Sequence, residues 1–100
     1  MAQLTTLIYD YVEEMLERRT PHREEHLAHV SRWSADGRLA IAGALGDPPT
    51  GALFVFEVES PDEIEEFVDD DPYVHAELVV GHLVAPWNLV AHRPLADPPT

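Results

Sequence analysis

Apolar residues recur along the chain at two spacings, alternate positions and positions three or four apart, and the switches between them divide it into elements. Residues 3–12, QLTTLIYDYV, mix Leu, Ile, Tyr, Val and Thr, the side chains that fill a pleated surface, and predict a first strand. After EEMLERR, Thr20 precedes Pro21: an N-cap residue, then proline at the first helical position, where its missing N–H costs nothing. The spacing predicts a helix from Pro21 to Asp36 with Leu27, Val30 and Trp33 inward, stopped by Gly37 in the left-handed conformation. RLAIAGAL (38–45) and GALFVFEV (51–58), joined by the turn residues GDPPT, predict an antiparallel hairpin. Ser60, Pro61 and Glu63 form a capping box that opens a second helix, with Ile64, Phe67 and Val68 at helical spacing. Pro72 closes it, because the residue before a proline is pushed out of helical geometry. ELVVGHLVAPWNLVAH (77–92) predicts a long last strand that bends at Gly81 or Pro86. RPLADPPT (93–100) reads as a loose tail behind a single domain over residues 1–92.

The order β-α-β-β-α-β is the split βαβ plan of ferredoxin-like α+β domains, with an antiparallel sheet and both helices on one face. The other face of such a sheet is polar in a monomer. Here Leu53 and Val55 oppose Phe54 and Phe56, Leu39 and Ile41 oppose Ala40 and Ala42, and Val80 and Val84 oppose Leu83 and Trp87. Both faces are therefore apolar, and a second copy of the chain is the simplest cover for the open one. The expectation is a homodimer in which two sheets pack into an α+β barrel.

Composition narrows the partners. The 6 Lys+Arg and 19 Asp+Glu give a formal charge of −13, so nucleic acid and anionic membrane are poor partners. The 45% hydrophobic content argues against disorder, and a chain of this length buries about two thirds of its unfolded surface. There is no cysteine, hence no disulfide, thiolate nucleophile or Cys-based zinc site. MAQLTTLIYDYVEE has neither a basic segment nor a long apolar run, so no signal peptide or membrane span is expected, and a cytoplasmic protein is the default.

Two stretches invite chemistry. HREEH (22–26) fits the H-x-x-E-H string of some zinc proteases, but those need a distant third ligand and a larger cleft, and no metal is expected. His22 and His29 read as solvated helix residues. His26 differs: at about 100° per residue it lies within about 40° of Val30 and about 20° of Trp33, bordering the buried stripe. The other stretch is DDDPYVH (69–75), whose carboxylates repel the negative end of the preceding helix. Consecutive aspartates point in different directions, so with His75 they do not converge on a metal. The topology instead brings the end of the second helix close to the start of the first. Asp71, turned inward by Pro72, is then the partner that fixes the tautomer of His26, while Asp69 and Asp70 face water. Tyr9, near the end of the first strand, could lend a hydroxyl to the same place, with Tyr73 and Trp87 lining a pocket.

REEHLAHVSRWSADGRLAIAGAL, DDDPYVHAEL and APWNLV together resemble the YciI-like (YCII-related) family of small dimeric α+β barrel proteins, over nearly the whole chain to Trp87. The family pattern falls on His26, Gly37, Gly43 and Asp71-Pro72-Tyr73, with Trp87 where phenylalanine is usual. The resemblance implies a His26–Asp71 active site, in a family that includes an enzyme removing chloride from a chlorinated hydroxyquinol; no cofactor is expected. Two functions follow as expectations. One is an acid/base enzyme acting on a small, aromatic-derived molecule by proton transfer, isomerisation or elimination; the other is a non-catalytic ligand-binding or accessory dimer in which the pair is structural.

Overall fold

The computed structural model describes residues 3–97. Its elements are β1 (Gln3–Tyr11), α1 (Met15–Arg18), a 3-10 turn (Thr20–His22), α2 (Arg23–Ala35), β2 (Leu39–Leu45), β3 (Gly51–Val58), α3 (Asp62–Asp69), α4 (Pro72–His75) and β4 (Val79–Pro86). The four strands form one antiparallel sheet in the order β2-β3-β1-β4, which is the ferredoxin-like arrangement expected from the element order. No helix among the described residues is long and apolar enough to cross a membrane.

The core lies between the helices and one sheet face. Leu7 and Tyr9 of β1 stand opposite Phe54 and Ala52 of β3, and these pack with Phe56, Val58, Trp33, Ile64 and Phe67. Aromatic edges interlock at the centre: Trp33 meets Phe56 and Phe67 edge-on, with ring centroids 5.9 and 5.4 Å apart. On the far face Ile41 (48% exposed) and Leu83 (60%) lie open, with Leu45 exposed beside them and Leu4, Ile8 and Leu53 half-buried.

Several expectations are corrected. Residues 15–18 form a helical turn that the pattern left unassigned, and its Met15 is buried against Tyr73 and Leu78. Thr20 and Pro21 open a 3-10 turn rather than capping the α-helix, and no side chain caps it. Leu27 is 44% exposed, not inward; the buried side of α2 is made by His26, His29 and Trp33, with Val30 half-buried. Leu39 and Ile41 do not share a face. A register shift between them pairs Leu39 with Phe56 on the core side and Ile41 with Val55 on the other. β4 ends at Pro86 instead of running to residue 92. Residues 87–97 carry no helix or strand, yet Leu95 and Ala96 line a groove with Val30, Leu39 and Ile41, so the chain returns from the β4 edge to the β2 edge.

Candidate active site

The helix expected over residues 60–71 is two helices meeting at an angle set by proline. α3 begins much as its capping box implies: a Glu63 carboxylate oxygen accepts the Ser60 N–H at 3.3 Å, and Ser60 Oγ accepts the Asp62 N–H at 3.2 Å. It stops at Asp69, and Pro72 starts α4 with Asp71 as its N-cap, an extended residue whose side chain accepts the Tyr73 N–H at 3.0 Å. This resolves the sign of the acidic cluster. Asp71 serves a positive helix start rather than opposing a negative helix end.

Asp71 is 0% exposed, and three donors converge on it. Its Oδ1 takes the Tyr73 N–H and lies 2.7 Å from His26 Nδ1; its Oδ2 accepts the Tyr9 hydroxyl at 2.8 Å. An ionised carboxylate accepts only, so toward it Nδ1 of His26 is the donor, and in the neutral ring Nε2 then carries the lone pair. Among the described residues Nε2 has no hydrogen-bond partner. The His26 ring lies flat against Tyr73, centroids 3.7 Å apart and planes 4° from parallel. Backbone from β1, α2 and the α3–α4 junction thus fixes one imidazole by hydrogen bond and by stacking.

His26 and Tyr73 open onto a cavity of about 190 Å³. Its other walls come from Tyr11, Arg19, Arg23 and the small residues Ala42, Ala44 and Ala52. The register of β1 against β4 shifts between Asp10 and Tyr11, and the Tyr11 ring meets Tyr73 edge-on at 6.1 Å. Burial raises the Tyr11 phenol well above its ordinary range, with Tyr73 and Asp71 adding to the shift and Arg19 and Arg23 opposing it. The Tyr73 phenol is raised as well, by burial first, against the pull of Arg23 and Arg19. Its hydroxyl is the buried side-chain polar atom left without a partner among the described residues.

The expected site residues separate into two groups. His26, Asp71 and Tyr73 come together. Tyr9 joins them from behind: it is fully buried, its hydroxyl is committed to Asp71, and it is absent from the cavity wall. Burial, then the Asp71 charge, holds its phenol far above the ordinary range, so it stays a donor. Trp87 does not reach this cavity. Because β4 ends at Pro86, Trp87 lies past the strand, exposed, with its backbone N–H on Leu4 O at 3.0 Å. His29, expected in water, is 2% exposed, and its Nε2–H donates to Phe67 O at 2.8 Å. The cause is the break after α3: Asp71 N–H, which would serve Phe67 O in a continued helix, bonds Val68 O instead. His75 Nε2 bonds the Asp69 carbonyl in the same way. Arg19 and Arg23 were overlooked, although ERRTPHR holds three of the six basic residues of the chain.

Fold and site define a small ferredoxin-like α+β protein with a buried His–Asp pair whose histidine lines a cavity. The chain belongs to the family of the YCII-related domain, whose model matches residues 4–88. It is 33% identical over 86 residues to the protein YciI of Escherichia coli O6:H1, covering 77% of this chain and 88% of that one. Among solved structures it is similar to 5-chloro-2-hydroxyhydroquinone dehydrochlorinase (TftG) of Burkholderia phenoliruptrix in complex with 2,5-dihydroxybenzoquinone. That match has a TM-score of 0.72 and 26% identity, over 85% of this chain and 93% of the other. A dimeric ferredoxin-like protein from an uncultured marine organism shares the fold, with a TM-score of 0.54 and 19% identity over 95% of this chain and 93% of that one.

Proposed function

We propose that the protein is an enzyme for a small, aromatic-derived molecule, with His26 as its general acid/base. The observation that carries this reading is an imidazole that lines the cavity and is anchored at Nδ1 by a buried carboxylate, with Nε2 left without a hydrogen-bond partner among the described residues. In that geometry Nε2 takes a proton from a substrate carbon or hydroxyl, and Asp71 stabilises the imidazolium by a charge-assisted hydrogen bond. The electron pair released shifts a double bond or expels a leaving group, and no protein nucleophile is required. Asp71 and Tyr9 are positioning residues, and Tyr73 stacks on the base. Similarity to a dehydrochlorinase supports the elimination variant of this chemistry.

The test is turnover of 5-chloro-2-hydroxyhydroquinone, followed by chloride release, together with deuterium uptake by enolisable cyclic ketones and lactones in D2O. His26→Gln is expected to lower whichever rate the wild type shows by about 10²–10⁴-fold, the usual contribution of a positioned acid/base group. Equal rates in the two proteins would discard the acid/base role. If His26→Gln only lowers the melting temperature and leaves ligand binding intact, the pair is a structural tie between helices in a non-catalytic module.

The same reading includes a homodimer. The open sheet face, with Ile41, Leu45 and Leu83 exposed, supports pairing with a second copy, as does the shared fold with a dimeric ferredoxin-like protein.

A further inference from the structure

Charge is distributed unevenly over this molecule. Of its 100 residues, 19 are acidic and 6 basic, yet the cavity at His26 is walled by two of the six arginines and by no Asp or Glu. A neighbouring groove, which shares Tyr11, shows the ordinary surface: Glu13, Glu14 and Glu17 line it and no basic residue does. Among the described residues neither Arg19 nor Arg23 makes a salt bridge, despite Glu17, Glu24 and Glu25 close by in sequence. A third donor points the same way. The Tyr73 hydroxyl is buried in the wall with Arg23 as the side chain that bears on it, and burial keeps it protonated. Two guanidiniums without a carboxylate partner, with the Tyr73 phenol beside Arg23, form a receptor for negative oxygen in a partly desolvated recess.

We infer that the substrate is a compact oxyanion, a carboxylate or phenolate on a single ring or a skeleton of that size, paired with Arg19 and Arg23. This rests on the reading of the cavity as the substrate site and adds the charge and size of what enters it. Size follows from the volume: an engineered cavity of about 150 Å³ in another protein holds benzene, so about 190 Å³ admits one ring with one or two small substituents. The apolar side of that ring has Leu27, Val30 and Phe54 to rest on. Selectivity against larger acids then comes from β2 and β3, where Ala42, Ala44 and Ala52 close the wall.

The experiment is a backbone-amide NMR titration with benzoate, 4-hydroxybenzoate and 2-furoate, each beside its neutral amide. The carboxylates are expected to shift resonances of residues 19–26 and 73 and to bind at least about tenfold more tightly than the amides, the ratio falling as salt is raised to about 0.5 M. Arg23→Gln is expected to remove most of that preference by weakening the carboxylates more than the amides, and Arg23→Lys to restore part of it. Amides binding as tightly as acids, carboxylate binding unchanged in Arg23→Gln, or no carboxylate at these residues would each overturn the inference. His26→Gln separates the two proposals. Carboxylate binding that survives in a variant whose turnover equals wild type leaves an anion receptor without acid/base catalysis, whereas turnover that needs His26 with no preference for acids leaves the enzyme and removes the anion.

Discussion

Asp71 holds three donors from three elements, so its substitution has a cost that can be stated in advance. Asp71→Ala leaves the Tyr9 hydroxyl and His26 Nδ1–H buried and unpaired, at about 1–3 kcal/mol each, and urea denaturation should show a loss of about 2–6 kcal/mol. Asp71→Asn keeps the shape and changes the chemistry. Side-chain 15N NMR should find His26 protonated at Nδ1 in the wild type and shifted toward the Nε2–H tautomer in the variant; an unchanged tautomer would detach the aspartate from the histidine. His29 gives a prediction in pH. Burial holds its imidazole below the ordinary value of about 6.5, outweighing the Phe67 carbonyl and Asp71, which act the other way. Between the folded value and about 6.5 the unfolded chain binds more protons, so this part of the stability is present above about pH 6.5 and is lost as pH falls below it. Urea midpoints taken down from pH 7.5 should therefore drop more steeply in the wild type than in His29→Gln. His26 and Asp71 were legible because helical angle and topology alone place them. His29 was not, although it lies only about 40° from Trp33 on the helix, because its partner is a backbone carbonyl freed by a break in another helix.

At the scale of elements, the site depends on how closely β1 and β3 approach behind it. A Cβ on Gly51 would lie 2.3 Å from Tyr9 O, a backbone atom with no freedom to move aside. Gly51→Ala is expected to cost about 1–3 kcal/mol and to disturb Tyr9, whereas Gly81→Ala, with nothing within 4 Å and no positive φ, should be neutral within about 0.5 kcal/mol. Thermal melts of the two variants decide it, and equal melting temperatures would mean the β1–β3 spacing yields. Strand and helix order could be read from the chain because alternation and helical spacing survive tertiary packing. What could not be read were the irregularities. The shift between Leu39 and Ile41 reverses a face without any marker in the residues, and Pro72, read as a stop, also serves as a start.

For the whole molecule, the proposed pairing of open sheet faces makes a prediction about mass. Light scattering after gel filtration should give twice the chain mass, and Leu83→Glu, which places a charge on that face, should give the monomer. A wild type that stays monomeric across concentration would remove the barrel. The open apolar sheet face was legible from the alternation along the strands, while the path of residues 87–97 back toward β2 was not, since it has no periodicity to read.

The flat stacking of Tyr73 on His26 bears on stereochemistry. An imidazole clamped by a ring 3.7 Å away and tied at Nδ1 cannot turn over to offer its other nitrogen. In the proposed role, a proton taken at Nε2 must leave from Nε2, on the side of the substrate from which it came. An isomerisation run by this site would be suprafacial, and part of a label carried by the migrating hydrogen would return to product before solvent replaced it.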